Sequence, residues 1–437
     1  MQEYIMQAKS FRFNIQELGG ALGDLGVLLP LTVALITLNH MNATSVFLVV
    51  GLAYIIAGVF YRLPVPVQPL KAVAAIAIAG GLSPSIISAS GLVMAAFLLL
   101  IVGTGAIRWV AKLFPKVIIR GIQLGVGLLL VKAGLVLVSK GQVIIGRDNV
   151  FQPFINIPIP SGWLVALALG IIFILFLRSK KLPASLVLLT LGVGVGMFWD
   201  SFLGLPGLRF ALSLPVMAVP SLADLTAALV LLVIPQIPLT LGNAVFATAD
   251  TAKAYFGPQA KRVTPKALLT TMGVVNIGAG FLGGMPICHG SGGLTAHYRL
   301  GARTGGAALL IGVPFLAMAL FLDGNVLPIL SLIPYPVLGV LVLFVGVQHS
   351  MLVRDLRHKK EILVALAVAI PGLLTASLAI GLASGICLQL ILSYLSRRHD
   401  IWSRLRLMVI RKAELAGGLH RKTGSLNSEA SRFSNPQ

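Results

Sequence analysis

The sequence predicts an all-α polytopic membrane protein with about 14 transmembrane segments, arranged as a 7+7 inverted repeat. Hydrophobic residues make up 57% of the 437 residues and charged residues only 11%, which is too apolar for a soluble core with a wettable surface. In addition, two segments about half a chain apart place helix breakers inside apolar stretches in the same way. Paired interruptions of this kind are typical of the binding site of an inverted-repeat carrier.

Apolar stretches of the length that a bilayer requires follow one another along most of the chain. The predicted spans cover residues 17–39, 44–61, 68–80, 86–106, 118–138, 162–177, 183–199, 222–249, 267–283, 290–300, 304–322, 326–347, 361–375 and 377–395. The first repeat is expected over residues 1-205 and the second over 206-395, and their odd number of spans forces opposite orientations. A basic and polar cytoplasmic tail, 396-437, is expected to be disordered and too short for a folded domain.

The net charge of +21 follows from membrane topology and does not indicate a nucleic-acid partner. With the predicted spans, most lysines and arginines fall in even-numbered loops, and the opposite side keeps chiefly Lys140, Arg147 and Arg209. Cytoplasmic loops carry such an excess of basic residues. We therefore expect an integral protein of the cell (inner or plasma) membrane, surrounded by the lipid bilayer, with both termini in the cytoplasm.

The first interruption, residues 65–69, precedes an apolar segment that predicts a half-helix in span 3. The free N–H groups and partial positive charge of a helix N-terminus favour an anion. Gln68 supplies an amide donor, Pro69 suits the first helical position, and Lys71 places a cation one turn inside the helix. An intramembrane lysine usually faces a polar interior, with snorkelling or an ion pair to an acidic residue of span 1 as the alternative.

The second interruption, residues 285–290, leads into a glycine-rich half-helix in span 10. Glycines let backbone amides converge on a ligand, while a hydroxyl and an imidazole add further donors. The residues expected to bind here are His289, Gly290, Ser291, Gly292 and Gly293. The alternatives are a histidine satisfied in the interior and a glycine run that serves close helix packing.

The first helix of each half carries further polar residues near these interruptions. They are Glu17 and Asp24 in span 1, and Gln236, Thr240 and Asn243 in span 8. Ionised carboxylates beside an anion site would repel the ligand, and a proton taken up with the anion would remove that conflict. Contacts of the carboxylates with backbone amides or Lys71 are the structural alternative, and sodium bound by oxygen ligands such as Thr240 is an alternative to the proton.

Four blocks of the sequence resemble the molybdate transporter family, a branch related to SulP-type sulfate permeases. The blocks cover residues 17–26, 64–71, 238–244 and 284–294. The resemblance extends over essentially the whole membrane region and implies the seven-plus-seven fold shared with uracil permease. It implies that a core domain (spans 1–4 and 8–11) carries substrate against a gate domain (spans 5–7 and 12–14). A C-terminal STAS domain, present in many sulfate permeases, is not expected.

We therefore expect a secondary active transporter that imports a tetrahedral oxyanion by alternating access without ATP, and molybdate is the expected oxyanion. Sulfate, bicarbonate or a nucleobase carried by the same fold are alternatives, as are an intramembrane enzyme and a non-transporting scaffold. The sequence contains no nucleotide loop, metal-ligand cluster or nucleophile elbow, so we expect no cofactor, no bound metal and no enzymatic activity. A homodimer remains open.

Overall fold

The computed structural model describes residues 11–112, 114–139, 161–177, 179, 184–201, 212, 215, 217–322, 330 and 332–395. The helices of the first half are α1 (Ile15–Leu38), α2 (Ala43–Tyr61), α3 (Lys71–Gly80), α4 (Pro84–Thr104), α5 (Ile107–Lys112), α6 (Lys116–Ser139), α7 (Ser161–Phe176) and α8 (Ala184–Ser201). Those of the second half are α9 (Leu222–Arg262), α10 (Pro265–Phe281), α11 (Ser291–Arg299), α12 (Gly306–Phe321), α13 (Tyr335–Ser350), α14 (Lys359–Leu374) and α15 (Leu378–Leu395).

Each predicted span overlaps one helix, but the helices differ greatly in length. Seven helices in the described part of the chain are long and apolar enough to cross a membrane: α1, α2, α4, α6, α9, α13 with the 3-10 turn after it, and α15. The short helix α5, within a predicted loop, was not expected. The number of membrane crossings thus stays a prediction. The predicted tail and the basic residues Lys140, Arg147 and Arg209 lie outside the described residues.

Local sequence signals fix where several helices begin. The side chains of Asn14 and Asn42 accept hydrogen bonds from backbone amides in the first turns of α1 and α2, at 3.0 and 2.9 Å. Ser83 and Thr264 cap α4 and α10 in the same way, and a proline follows each cap. Such caps satisfy amides that have no partner inside a helix, and proline suits the first helical position.

Two short strands join the halves of the chain at the interruptions. Strand β1 (Gln68–Pro69) pairs antiparallel with β2 (Ile287–Cys288), so that Gln68 lies opposite Cys288 and Pro69 opposite Ile287. Helix α3, with 10 residues, begins directly after β1, and α11, with 9 residues, begins shortly after β2. The strands thus give hydrogen-bond partners to backbone groups that no helix satisfies, as an apolar surrounding demands.

Buried asparagines hold the ends of the interrupted segments. Asn276 of α10 accepts a hydrogen bond from the amide of Ile287 at 2.7 Å and donates to the carbonyl oxygen of Ile287 at 2.9 Å. The side chain of Asn39 donates to the carbonyl oxygens of Ala77 and Leu82, at 2.8 and 2.9 Å, at the end of α3. Each side chain replaces backbone partners that a continuous helix would supply.

The packing of the long helices repeats between the two halves. Helix α2 packs on α12, and its counterpart in the second half, α10, packs on α4. Helix α6 packs on its own counterpart, α13. Small residues allow these close approaches, since a methyl group on Gly312 would lie 2.8 Å from the carbonyl oxygen of Gly51, and one on Gly91 would lie 3.1 Å from that of Asn276. Exchanging the halves therefore maps these three helix pairs onto one another.

Candidate anion-binding site

The interrupted segments meet the middle of α9 at a small polar cavity. The cavity is tight, with a volume of about 20 Å³, which is room for about one water molecule. The residues that line it are Lys71, Gln123, Gln236, Leu239, Asn243, Ala244, Cys288 and His349. They come from both halves of the chain. Some lie in the interrupted segments and in α9, where the sequence predicts the site, and others lie in α6 and α13, where it does not.

Helix α9 departs from α-helical geometry on both sides of two prolines. Pro235 and Pro238 have no amide hydrogen to donate, and π-helical turns at Leu229–Val233 and Thr240–Ala247 flank them. Such turns inside α-helices are frequent at functional sites. Here the second turn carries Asn243, which faces the cavity.

The N-terminus of α3 is already occupied by a side chain. Gln236 accepts a hydrogen bond from the amide of Ala72 at 2.7 Å and donates to the hydroxyl of Thr240 at 3.0 Å. Thr240 is fully buried and lies behind Gln236. One of the free amides expected to attract an anion is therefore satisfied within the protein, and Thr240 supports the residue that satisfies it.

Lys71 is the first residue of α3, which corrects its expected position one turn inside the helix. Pro69 is not at the first helical position, because it lies in β1, where pairing with β2 requires an extended backbone. The half-buried Lys71 lines the cavity, and a methyl group on Gly290 would lie 3.5 Å from its Nζ. No carboxylate of the described residues forms an ion pair with Lys71, so the expected alternative of a pair with Asp24 or Glu17 is wrong.

The N-terminus of α11 has no capping side chain from the part of the chain that the structure describes, and it lies beside the cavity without lining it. Ser291 donates from its hydroxyl to the side-chain oxygen of Asn243 at 2.8 Å. Around Gly292 a methyl group would meet open space, whereas on Gly293 it would overlap the side chains of Asp24 and Gln68. Within the glycine run, Gly293 is therefore closely packed and Gly292 is exposed.

Asp24 is buried behind the first turn of α11 and accepts two hydrogen bonds. The hydroxyl of Tyr54 donates to Oδ2 at 2.5 Å, and the side-chain amide of Gln68 donates to Oδ1. The expected donor of Gln68 is thus used by Asp24. The side-chain carbonyl oxygen of Gln68 has no hydrogen-bond partner among the described residues, and a methyl group on Gly290 would lie 3.0 Å from it.

Glu17 lies away from the cavity. One oxygen of its buried carboxylate accepts hydrogen bonds from the backbone amides of Arg303 and Thr304, at 3.1 and 2.9 Å, just before α12. This is the structural alternative raised for the carboxylates, in which the side chain satisfies backbone amides. Nothing in this arrangement directs Glu17 at the site.

His289 is also held by partners within the protein. Its Nδ1 lies 2.9 Å from the carbonyl oxygen of Pro66, to which it must donate. Its Nε2 lies 2.9 Å from the hydroxyl of Thr271, which in turn is 2.6 Å from the hydroxyl of Tyr61. Both ring nitrogens are used, so the geometry is that of a histidine satisfied in the interior.

Gln123 of α6 and His349 of α13 were not anticipated from the sequence. Gln123 accepts a hydrogen bond from Arg120 at 2.7 Å, and Arg120 is paired with Asp355 through two bonds of 2.9 and 2.7 Å. In His349, Nδ1 donates to the carbonyl oxygen of Val345 at 3.0 Å, which leaves Nε2 available to the cavity. A polar side chain inside an apolar span was the available signal. It was missed for His349 because the span was expected to end at residue 347, whereas α13 continues to Ser350.

The chain has the fold of a mostly helical, polytopic membrane transporter. The fold is that of the transmembrane domain of a cyanobacterium bicarbonate transporter, BicA (TM-score 0.59, 19% identity, 84% of this chain and 96% of that chain). It is also that of murine Slc26a9, an anion transporter, in the inward-facing state (TM-score 0.62, 16% identity, 90% of this chain and 70% of that chain). At these identities the likeness concerns the fold alone.

Residues 16–130 and 228–348 match the family described as "Molybdate transporter of MFS superfamily", and the chain belongs to this family. It is 29% identical to Molybdate transporter 2 of Arabidopsis thaliana over 407 residues, covering 86% of this chain and 87% of that protein. It is 27% identical to Molybdate transporter 1 of Chlamydomonas reinhardtii over 457 residues, covering 81% and 86%. Family and fold are those of transporters and not of enzymes.

Proposed function

We propose that this chain is a secondary active transporter that imports molybdate by alternating access. The observation that carries the proposal is the meeting of the two interrupted segments at one polar cavity, which Lys71 and Cys288 line. The uncapped start of α11 lies beside it, joined to the lining residue Asn243 through Ser291. Removing water from a dianion is costly. The ammonium group of Lys71 and the first amides of α11 are the groups that replace this water.

We infer that the 14 expected spans form a seven-plus-seven inverted repeat, with α3 and α11 as half-helices in spans 3 and 10. The repeated pattern of helix pairs supports this architecture, as does the pairing of β1 with β2. The excess of basic residues in even-numbered loops supports cytoplasmic termini in a cell membrane.

The cavity favours movement of a gate domain against a core domain. Lys71, Gln236 and Asn243 belong to the core in this division, whereas Gln123 and His349 belong to the gate. Separation of the two groups would remove one wall of the cavity and admit the substrate. Repeating this on each side of the membrane gives alternating access.

Uptake into proteoliposomes tests the proposal. Purified protein is reconstituted, and internal molybdenum is measured by metal analysis with and without an inward proton gradient. We expect saturable molybdate uptake that the gradient increases. We also expect competition by tungstate, the heavier homologue of nearly equal size, to be stronger than competition by the smaller sulfate. Sulfate uptake without molybdate uptake would assign the cargo to sulfate, and equal rates in protein-free vesicles would contradict transport.

A further inference from the structure

His297 of α11 and Asp24 of α1 form a buried pair that the proposed binding of the anion does not use. Both side chains are 0% exposed, and Nε2 of His297 lies 3.8 Å from Oδ2 of Asp24. The other ring nitrogen, Nδ1, is 2.8 Å from the carbonyl oxygen of Gly20 and must donate to it. In the neutral ring Nε2 therefore carries a lone pair, and it has no hydrogen-bond partner among the described residues.

The surroundings of the pair leave its negative charge without a cationic contact. Asp24 accepts hydrogen bonds from Tyr54 and Gln68, both neutral donors. Of the ionisable groups on neighbouring elements, Cys288 of β2 lies within electrostatic reach of both Asp24 and Lys71.

Other ionisable groups on the packed elements line the cavity, are exposed or are bound elsewhere. Lys71 and His349 line the cavity, and Asp250, Lys253 and Arg299 are exposed. On α1, Glu17 is bound to the amides before α12. On α9, Tyr255 stacks on Tyr298, at the far end of α11. The described structure therefore offers Nε2 of His297 as the position where a proton would place a positive charge directly beside Asp24.

We propose that the Asp24–His297 pair binds one proton together with the oxyanion, which makes the carrier a proton symporter. This inference rests on the proposed function. The proton comes from water on the side where the anion enters and forms an N–H bond at Nε2 of His297. That N–H then donates to Oδ2 of Asp24. The bond breaks after the anion has left, and the proton is released to water on the opposite side.

The coupling follows from where Asp24 lies. A methyl group on Gly293 would overlap Oδ1 of Asp24, so the carboxylate sits directly behind the first amides of α11. Its charge opposes a dianion at those amides, and a protonated His297 compensates that charge. A unit charge several Å away at an effective dielectric constant of about 20 changes affinity by roughly tenfold or more. Because linkage is reciprocal, the anion strengthens proton binding by the same factor.

Calorimetric titration of the purified full-length protein with molybdate tests the pair. Titrations near neutral pH in two buffers of different ionisation enthalpy give the number of protons taken up per anion. We expect about one proton for the natural protein and none for His297→Asn, with affinity about tenfold weaker in the variant. The asparagine amide can still donate to the carbonyl oxygen of Gly20.

His40→Asn is the matched control. His40 is exposed and has a left-handed backbone (φ 57), which asparagine adopts readily. This variant should keep the proton uptake and affinity of the natural protein. Asp24→Asn gives a second test of opposite sign, because removing the carboxylate charge should abolish proton uptake while strengthening molybdate binding in alkaline buffer. Melting temperatures verify that each variant is folded.

The outcomes separate the two proposals. Binding of molybdate without proton uptake by the natural protein, or undiminished proton uptake by folded His297→Asn, would overturn the proton site and leave the anion site intact. Absence of molybdate binding by the folded natural protein would overturn the proposed function and, with it, this inference. Loss of proton uptake in both His297→Asn and Asp24→Asn, but not in His40→Asn, would support the pair.

Discussion

Polar residues inside apolar spans were the sequence signal for a binding site, and three of the predicted residues line the cavity. Lys71, Gln236 and Asn243 line the cavity, which agrees with the rule that a polar group in a membrane span is costly unless it faces a polar interior; their binding of substrate stays a prediction. Glu17 and His289 meet the same criterion, yet hydrogen bonds hold them elsewhere. Their partners lie far away in the sequence, so composition and spacing could not separate the two groups.

Lys71 should contribute strongly to anion affinity. In Lys71→Ala we expect the dissociation constant for molybdate to rise by roughly 10- to 100-fold, because one cation is lost from a partly desolvated site. Lys71→Arg should recover only part of the affinity, since the larger guanidinium is hydrated differently. Calorimetry on folded protein provides the measurement.

Lys132→Ala is the control for this change. Lys132 also lies in a membrane helix, α6, but its side chain is exposed. Its loss should leave molybdate affinity unchanged. Equal affinities for the natural protein and Lys71→Ala would remove Lys71 from the site.

Adjacent glycines on α11 give a second residue-scale prediction. Gly292→Ala should keep the melting temperature, because the added methyl group meets open space, but should weaken molybdate binding if the amides contact the anion. Gly293→Ala should lower the melting temperature, because its methyl group collides with Asp24 and Gln68. Thermal unfolding and affinity per folded molecule are measured on both variants. Unchanged affinity in Gly292→Ala would mean that these amides do not bind the anion.

At the scale of elements, the sequence predicted the interruptions but not how they are joined. Proline and glycine mark the breaks at residues 65–69 and 285–290, because proline interrupts a helix and glycine stabilises one only poorly. The register of β1 on β2 depends on contacts across half the chain, which local propensity does not encode. The same holds for the π-helical turns of α9 and for Asn276, which had no visible role in the sequence.

Asn276 should be essential for the stability of the second interruption. In Asn276→Ala, the amide and carbonyl groups of Ile287 lose their side-chain partner in a buried setting, at a cost of about 1–3 kcal/mol for each unsatisfied group. Asn42→Ala, which removes an exposed helix cap, should cost only about 1 kcal/mol. Thermal unfolding in detergent compares the two. A smaller effect for Asn276→Ala than for Asn42→Ala would contradict this role.

For the whole molecule, composition and charge distribution were sufficient to predict a polytopic membrane protein, and the repeated breaks indicated two related halves. The family match falls into two parts, residues 16–130 and 228–348, and each contains one interruption. The wall that α6 and α13 contribute to the cavity could not be foreseen, because it depends on how the helices pack in three dimensions.

Access to the cavity should change with substrate. Cys288 lines the cavity and is buried, whereas Cys387 is exposed. In a Cys387→Ser background Cys288 is the remaining cysteine, since the chain has 2. We expect a small methanethiosulfonate reagent to label Cys288 slowly, and molybdate to slow labelling further by occupying the cavity. Mass spectrometry measures the labelled fraction, and chloride at equal ionic strength is the control. Labelling at the same rate with saturating molybdate would place the substrate elsewhere.

The pairing of β1 with β2 has a consequence for biosynthesis. Cys288 and Pro69 are 219 residues apart, so β1 leaves the ribosome long before its partner exists. At about 5–20 residues per second, the delay is roughly 10 to 40 s. During this time the backbone at Gln68 and Pro69 lacks the strand that later satisfies it, inside a membrane that offers no substitute. The nascent first half is thus expected to depend on the insertion machinery, or on water retained around β1, until the second half arrives.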